Sequence, residues 1–185
     1  VVPVHDMGVD AGGEIFFTMK MVRGHSLGEI IEAIEAGNEA FYNEFTRVRL
    51  LTLSQQVCMG VHYAHSRRVV HRDLKPSNIF LHRREGSGET VKLLDFGIAQ
   101  LSQDKPTAPK LTQVNQLLGT PEYMSPELIS GEKVDQRADV YAVAVTLFEC
   151  LTGEVPFTGN FRQIAIKVLT STSPPSVRSH RRDVG

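Results

Sequence analysis

Residues 71–78 read HRDLKPSN and residues 95–97 read DFG. The two stretches bring three carboxylate or amide side chains, those of Asp73, Asn78 and Asp95, into a short part of the chain. A chance match to His, Arg, Asp and Asn at this spacing is rare, and a DFG that follows makes coincidence rarer still. The polar residues therefore indicate a functional site and not an accidental loop sequence.

The segments on either side of the first stretch have regular apolar patterns. Residues 46–66 carry apolar side chains at intervals of three and four, which predicts a long helix that Thr46 can cap. NIFLH at 78–82 and TVKLL at 90–94 are short and apolar, and the polar, glycine-rich RREGSGE separates them. This arrangement predicts two strands in a hairpin that links HRDLKPSN to DFG.

The N-terminal part of the chain predicts a ribbon and then a helix. Residues 1–8 and 14–22 are rich in residues that favour strands, and the turn-forming DAGGE lies between them. Residues 26–37 have apolar side chains at helical spacing. Ser26 is suited to begin this helix as its N-cap, and Gly37 is suited to end it.

The C-terminal half begins with an irregular segment and continues in helices. Residues 100–118 are polar, contain two prolines and show no periodicity, which is typical of a long functional loop. Residues 125–130 predict a short helix, residues 142–153 predict a buried helix, and residues 161–170 carry apolar side chains that flank a helical turn. Residues 173–185 are rich in Pro and Arg without a core-forming pattern, so we expect a linker or a truncated tail.

The composition is typical of a soluble globular domain. Of 185 residues, 41% are hydrophobic and 22% are charged, and 20 Lys and Arg against 21 Asp and Glu give a net charge of −1. This balance argues against nucleic acid or an anionic membrane surface as a partner. Cys58 and Cys150 lie in apolar helical patterns without metal-ligand spacing. We therefore expect a cytoplasmic segment without membrane contact of its own and with two buried, free thiols, while a membrane anchor elsewhere in a longer parent protein stays open.

HRDLKPSN, DFG, SPE at 125–127 and DVYAVAV at 139–145 together resemble the motifs of protein kinases. Lys75 in HRDLKP and Thr120 in GTPEY resemble the serine/threonine kinases, and FFTMKMVRGHSL resembles the hinge of bacterial members. SPE in place of the usual APE is a mild departure. The resemblance covers about residues 1–175.

The resemblance implies an α+β, protein kinase-like fold, mostly the helical C-terminal lobe with the last strands of the N-terminal lobe. It divides the chain into a remnant of N-terminal lobe strands at 1–19, a hinge at 20–24, an incomplete C-terminal lobe at 25–175 and a truncated tail or linker at 176–185. Because the sequence starts at Val1 and not at Met, we expect a fragment of a longer protein.

The family's chemistry implies a catalytic set of polar residues. Asp73 would accept the proton of a substrate hydroxyl, and Lys75 would face the transferring phosphate. Asn78 and Asp95 would coordinate Mg²⁺, a hard cation that prefers oxygen ligands. Thr120 would belong to the same set. The implied reaction transfers the γ-phosphoryl group of ATP to a Ser or Thr hydroxyl of a protein substrate.

The resemblance also implies an ATP site at the hinge. Met19 would lie at the back of the adenine pocket, and the backbone of Lys20 and Val22 would meet the base. Phe80 would lie under the base. We therefore expect nucleotide-binding residues on both the ribbon and the first strand after HRDLKPSN.

Residues with packing roles are implied as well. His71 and Phe96 would stack, together with Val4, in a column between the two lobes. Asp139 would be a buried anchor that holds the HRDLKPSN loop by its backbone, because an unpaired carboxylate there would be costly.

Arg72 resembles the arginine that pairs with a phosphate on the loop before SPE. Thr107 and Thr112 are the candidate acceptors of that phosphate, and Thr112 has the better spacing. A solvated, unmodified threonine remains an equal alternative.

The 185 residues contain no glycine-rich GxGxxG loop, no VAIK-type lysine and no glutamate to pair with such a lysine. Two functions therefore stay open: the catalytic segment of an active serine/threonine kinase, or a non-catalytic binding or scaffold fragment. The intact polar set favours the first function for the parent protein, and the missing phosphate loop favours the second for these residues. Neither the physiological substrate nor the oligomeric state can be predicted.

Overall fold

The computed structural model describes residues 4–10, 12–13, 15–84, 88–96, 120–171 and 173–180. These residues form five strands and seven α-helices in a mixed arrangement. The expected α+β fold class is confirmed, and helices dominate after the N-terminal ribbon. The predicted loop at 100–118 lies outside the described residues.

The N-terminal ribbon consists of β1 (Val4–Val9) and β2 (Ile15–Met19), which pair antiparallel. Met7 lies opposite Phe17, and the register shifts once near Asp6. The ribbon predicted from alternating residues around DAGGE is therefore confirmed.

A second sheet contains β3 (Gly24–Ser26), β4 (Ile79–Arg84) and β5 (Gly88–Leu93) in the antiparallel order β3-β4-β5. The predicted β4–β5 hairpin is confirmed, and Ile79 pairs with Leu93. The short strand β3 was not predicted, because its only strand signal is the pairing with β4, which is distant in sequence.

Gly24 allows β3 to approach β4 closely. Its φ angle is +138°, and a Cβ atom on it would lie 1.8 Å from the carbonyl oxygen of Leu81. Gly37 also has a positive φ angle, +75°, but a Cβ atom there would meet nothing within 4 Å. Gly24 is therefore required both by its positive φ angle and by the lack of room for a side chain beside Leu81. Gly37 is required only by its positive φ angle.

We expect Gly24→Ala to lower the free energy of unfolding by at least about 2 kcal/mol more than Gly37→Ala. Both changes carry the strain of a left-handed residue, about 1 kcal/mol, and only Gly24→Ala adds a clash with backbone. Urea unfolding of the two variants measures the difference. Equal losses would mean that β3 moves away from β4 without cost.

Helix α1 (Leu27–Glu35) begins and ends as the sequence predicts. Ser26 and Glu29 form a capping box, and Gly37 follows the helix in a left-handed conformation. Helix α2 (Glu39–Glu44) was not predicted, because six residues are too few to show a helical period. Its N-terminal amides are capped by Asn38.

Helices α3 (Arg47–Ser66) and α5 (Gln136–Thr152) form the centre of the helical part and contact each other. Thr46 caps α3 and Gly153 ends α5, as predicted. Cys150 is buried, but Cys58 is exposed, so the expectation of two buried thiols was wrong for Cys58. Cys58 lies one residue after the core residue Val57, which turns it about 100° away from the core.

Three shorter helices complete the described chain: α4 (Pro126–Ile129), α6 (Phe161–Thr170) and α7 (Val177–His180). Helix α4 matches the predicted short helix, and α6 is longer than the single helical turn that the sequence predicted. The segment expected to be a tail contains α7, whose His180 ring lies 5.3 Å from that of Phe148 on α5. Among the described residues, no helix is both long enough and apolar enough to cross a membrane.

The core lies between α1, α3, α5 and the β3-β4-β5 sheet. Ile79, Leu81 and Leu93 face it from the sheet, and each is at most 3% exposed. Leu74, in the loop between α3 and β4, is 1% exposed and packs into the same cluster. The loop that carries HRDLKPSN is therefore attached to the core by an apolar side chain between its polar ones.

Candidate functional site

The loop after α3 brings three of the predicted site residues together. The Nζ atom of Lys75 lies 3.0 Å from Oδ2 of Asp73. The Nδ2 atom of Asn78 donates to the same Oδ2 at 3.1 Å and to the backbone oxygen of Asp73 at 2.8 Å. Asp73 is thus held by an ammonium group and an amide, and its side chain is still 42% exposed. Such a carboxylate can accept a proton from a group in solvent.

The orientation of the Asn78 amide follows from these contacts. A backbone oxygen only accepts hydrogen bonds, so the atom that faces it must be the NH₂ group. The amide oxygen of Asn78 is therefore left for another partner. Asn78 itself is only 7% exposed, which fixes the position of that oxygen.

The β4–β5 hairpin brings Asn78 and Asp95 to the same end of the sheet. Asn78 directly precedes β4, and Asp95 follows β5 by two residues. The amide of Leu94 donates to the backbone oxygen of Asn78 at 2.9 Å, one step beyond the Ile79–Leu93 pair. Asn78 and Asp95, which are separated in sequence, therefore lie at the same end of the β4–β5 hairpin.

Two residues of the site have left-handed backbone conformations. The φ angle is +68° at Arg72 and +57° at Asp95, and neither residue is Gly. Aspartate tolerates this conformation better than arginine does. Such strain persists only where surrounding contacts hold the backbone in place.

Asp139, near the start of α5, supplies those contacts for the loop. It is 1% exposed, and its carboxylate accepts the backbone amides of His71 and Arg72, each at 2.8 Å. The Nε2 atom of His65, at the end of α3, lies 2.7 Å from Oδ2 of Asp139. The predicted role of Asp139 as a buried, hydrogen-bonded anchor is confirmed. The part played by His65 was missed, because no local pattern distinguishes it.

His71 packs against Phe96, as predicted, with the ring centroids 4.4 Å apart. His71 is fully buried, and burial lowers its pKa, although the nearby carboxylates of Asp139 and Asp73 oppose the shift. A neutral imidazole in this place serves packing and not proton transfer. The third member of the predicted column, Val4, has a side chain outside the described residues.

The residues predicted to meet the adenine base include the end of β2 and the hinge that follows it. Met19 is the last residue of that strand and is half-buried, Lys20 is exposed and Val22 is half-buried. In β4, Phe80 is half-buried and alternates with the core residues Ile79 and Leu81, so it lies on the opposite face of the sheet.

Thr120 is half-buried and precedes a 3₁₀ turn, Pro121–Tyr123. Among the described residues, no hydrogen bond joins the Thr120 side chain to Asp73, Lys75 or Asn78. The turn is instead fixed to α5, because the Tyr123 hydroxyl donates to Glu149 at 2.6 Å. No sequence signal pointed to this pair. Thr107 and Thr112 lie outside the described residues.

The oxygen atoms at the end of the hairpin are the ones suited to a metal ion. No group of three or more His, Cys, Asp or Glu that could hold a metal occurs within the part of the chain that the structure describes. The donors here are the carboxylate of the exposed Asp95 and the amide oxygen of Asn78, to which no hydrogen bond from another described residue is seen. Two hard oxygen donors suit Mg²⁺, which commonly takes one or two protein ligands together with phosphate and water.

Comparison with known proteins gives one family. The family model described as protein kinase domain matches residues 1–180. The chain is 38% identical over 178 residues to serine/threonine-protein kinase pkn3 of Myxococcus xanthus, which covers 96% of the chain and 31% of that protein.

Two further relatives have similar names. Identity is 35% over 178 residues to serine/threonine-protein kinase PknD of Mycobacterium tuberculosis, with 95% of the chain and 24% of that protein covered. Identity is 46% over 129 residues to serine/threonine-protein kinase Pkn1 of Myxococcus xanthus, and this match covers 69% of the chain and 18% of that protein. The chain therefore spans only 18% to 31% of the length of these curated relatives.

Proposed function

Because the chain belongs to the protein kinase family, we propose that it is the catalytic segment of a serine/threonine kinase that uses ATP and Mg²⁺. The observation that carries this proposal is the contact of Asp73 with Lys75 and Asn78, at the sheet edge that Asp95 also reaches. The test is transfer of labelled phosphate from ATP to Ser and Thr peptides, with Asp73→Asn as the inactive control.

Asp73 acts on the acceptor hydroxyl. Its carboxylate is half-exposed and held by two donors, so it can orient the hydroxyl oxygen and accept its proton. Little covalent chemistry remains for the protein in phosphoryl transfer, so positioning of the two reacting oxygens provides most of the catalysis. The acceptor belongs to a protein substrate, and Thr120 lies at the start of the segment that we assign to binding it.

Lys75 places a positive charge beside Asp73. In the structure its ammonium group pairs with that carboxylate, and the Lys75 side chain is 20% exposed. A compact, mobile ammonium can contact a phosphate oxygen while it stays close to the aspartate. Lys75 therefore neutralises charge on the transferring group, and Asp73 remains the base.

Asn78 and Asp95 fit an Mg²⁺ ion by donor type. Mg²⁺, when bound, neutralises negative charge on phosphate oxygens. The contacts of the Asn78 amide with Asp73 leave its oxygen as the donor, and Asp95 adds a carboxylate. The bond from Asn78 to Asp73 thus couples the metal ligand to the base and keeps both in one arrangement.

The adenine base would lie between the hinge and the outer face of β4. Met19 and Phe80 provide half-buried apolar surface, and Lys20 and Val22 provide backbone groups just after β2. An apolar slot with a few backbone donors and acceptors is the usual form of a nucleotide base site.

A non-catalytic binding or scaffold role is the second candidate. The observation in its favour is the absence of a GxGxxG loop and a VAIK-type lysine from the 185 residues. Without these groups the phosphates of a nucleotide have protein on one side only. Retention of the whole Asp73, Lys75, Asn78 and Asp95 set favours catalysis in the parent protein.

We expect the chain as it stands to bind ATP weakly, in an Mg²⁺-dependent way, with little or no turnover. Asp95→Asn should weaken the Mg²⁺-dependent part of the affinity by about 10-fold, because an amide is a poorer ligand than a carboxylate. Calorimetric or NMR titration with and without Mg²⁺ measures this.

Asp135→Asn is the matched control, because Asp135 is an exposed aspartate at the start of α5. It should leave nucleotide binding unchanged. Micromolar affinity of the unaltered chain with robust turnover would contradict the expected weakness. If Asp95→Asn and Asp135→Asn changed the Mg²⁺-dependent nucleotide affinity equally, the assignment of Asp95 as a metal ligand would be wrong.

A further inference from the structure

The outer face of α3 is apolar and carries no charge. The inner face of this helix packs against α5 and β5, whereas four apolar residues on the outer face are 43–74% exposed: Val48, Leu51, Met59 and Tyr63. Their spacing places them along one side of the helix, and we call them the α3 stripe. Residues 50–66 contain no Asp, Glu, Lys or Arg. A helix that is apolar on both faces is normally covered on both, so the α3 stripe is suited to contact a second apolar surface.

The α3 stripe has the dimensions of a helix-binding surface. It runs for about 22 Å along the axis of α3, from the rise per residue of an α-helix. Beyond its C-terminal end the Nε2 atom of Gln136 on α5 donates to the carbonyl oxygen of His65 at 3.1 Å. Val140 lies one turn after Gln136 on the same face of α5 and is also exposed. A long, narrow apolar surface between two helices fits the apolar face of one further helix.

Positive charge lies at the C-terminal end of the α3 stripe. The guanidinium carbon of Arg67 lies 3.9 Å from the centroid of the Tyr63 ring, and Arg68 follows it. No ion pair among the described residues involves either arginine. A guanidinium group stacked on a ring keeps the N–H groups at its edge available to a carboxylate. Charge complementarity therefore favours a partner that has carboxylates at this end.

We propose that the α3 stripe binds an amphipathic helix of a partner protein, antiparallel to α3, with acidic residues of its first turn at Arg67. Its apolar side chains would cover Val48, Leu51 and Met59. The antiparallel orientation places the partially positive start of the partner helix beside the partially negative end of α3. Acidic residues in a first turn also stabilise the helix that carries them. None of the residues proposed for phosphoryl transfer belongs to the stripe, so this inference does not rest on the proposed kinase function.

The charges around α3 disfavour two other occupants. Antiparallel pairing with α3 of a second copy would bring Arg67 near the start of the other helix, which carries Arg47 and Arg49, and parallel pairing would bring identical arginines together. An anionic membrane would be repelled by Glu44 and Glu89, which surround Arg49 at the start of α3. A helix with an acidic first turn meets neither repulsion.

The test uses two synthetic peptides of about 18 residues, each with a fluorescent label and titrated into the chain without nucleotide. Both have leucines along one helical face and Ala and Gln elsewhere. One has two Glu in its first turn, and the other has two Lys there. We expect the Glu peptide to bind at least about 10-fold more tightly than the Lys peptide. The NMR amide signals of residues 48–66 should shift on binding, and those of α6 should not.

Variants of exposed apolar residues locate the binding surface. Met59→Glu should weaken binding of the Glu peptide by at least about 10-fold, because it places a carboxylate in the middle of the stripe. Ile166→Glu is the matched control, since Ile166 is exposed on α6 and does not belong to the stripe, and it should leave the affinity unchanged. Val48→Glu should also weaken binding by about 10-fold. It remains informative if Met59→Glu fails to fold, because Val48 lies in the first turn of α3, where a carboxylate stabilises a helix.

Arg67→Gln tests the charge at the end of the stripe. It should remove most of the preference for the Glu peptide over the Lys peptide, because it deletes the positive charge. Arg162→Gln, which changes an exposed arginine on α6, should keep that preference. The two peptides differ in their own helical stability by the same amount for every variant, so a change of preference reports the contact with Arg67.

The proposal would be overturned by no binding of either peptide, by equal binding of both, by unchanged affinity in Met59→Glu and Val48→Glu, or by full retention of the preference in Arg67→Gln. Dimerisation of the chain that Met59→Glu abolishes and Ile166→Glu does not would overturn it as well, and would assign the stripe to a second copy. Binding to phosphatidylserine vesicles with the same dependence would assign the stripe to a membrane instead. Because the titrations contain no ATP, an inactive kinase would leave all of these results unaffected.

Discussion

Replacing Asp73 with Asn is expected to lower kcat by about 100-fold or more and to leave nucleotide affinity nearly unchanged. An amide keeps the size of the side chain and its contacts with Lys75 and Asn78, but it cannot accept the proton of the acceptor hydroxyl. The loss therefore falls on the chemical step. The measurement is steady-state peptide phosphorylation by a polypeptide in which a glycine-rich loop and its lysine precede residue 1.

The informative comparison is with Asp95→Asn in the same polypeptide. Asp95 is proposed as a metal ligand, so its loss should appear in Mg²⁺-dependent nucleotide affinity as well as in kcat. Asp135→Asn again controls for removal of a carboxylate from the surface. Equal reductions of ATP affinity by Asp73→Asn and Asp95→Asn would show that the roles of base and metal ligand are wrongly assigned.

The elements that could be predicted are those with complete local signals. Helix α1 has a capping box at one end and Gly37 at the other, and α3 has a long apolar period. Strand β3 and helix α2 have too few residues for any period. β3 depends on pairing with β4, which is more than fifty residues away in sequence, so local residues do not determine it.

The candidate site also has features that the sequence could predict and features that it could not. Asp73, Asn78 and Asp95 could be proposed from the sequence, because HRDLKPSN and DFG resemble the motifs of protein kinases. The hydrogen bond from Asn78 to Asp73 could not, since it depends on how the loop folds back. The Tyr123–Glu149 pair arises where separate elements meet, and no motif marks such a place.

Asp139 shows how distant elements together hold the strained loop. Its single carboxylate accepts two consecutive backbone amides, one of which belongs to Arg72 with its left-handed conformation. A buried hydrogen bond to a charged group contributes about 1.5–3 kcal/mol, and a buried donor without a partner costs a comparable amount. The geometry of Asp73, the next residue, therefore depends on a side chain 66 positions further along the chain.

We expect Asp139→Ala to lower the free energy of unfolding by about 3–5 kcal/mol, because it leaves two buried amides and the His65 ring without their acceptor. Asp135→Ala, which removes an exposed N-cap from the same helix, should cost only about 1 kcal/mol. Urea unfolding of both variants gives the comparison.

If Asp139→Ala does not fold, Asp139→Asn provides the measurement, since its amide oxygen can accept from only one of the two backbone amides. In the Asp139→Asn variant the backbone amides of His71 and Arg72 should exchange with solvent faster than in the unaltered chain. The contrary result would be unchanged protection of both amides together with a stability loss no larger than that of Asp135→Ala. That result would show that the packing of Leu74 and His71 holds the loop instead.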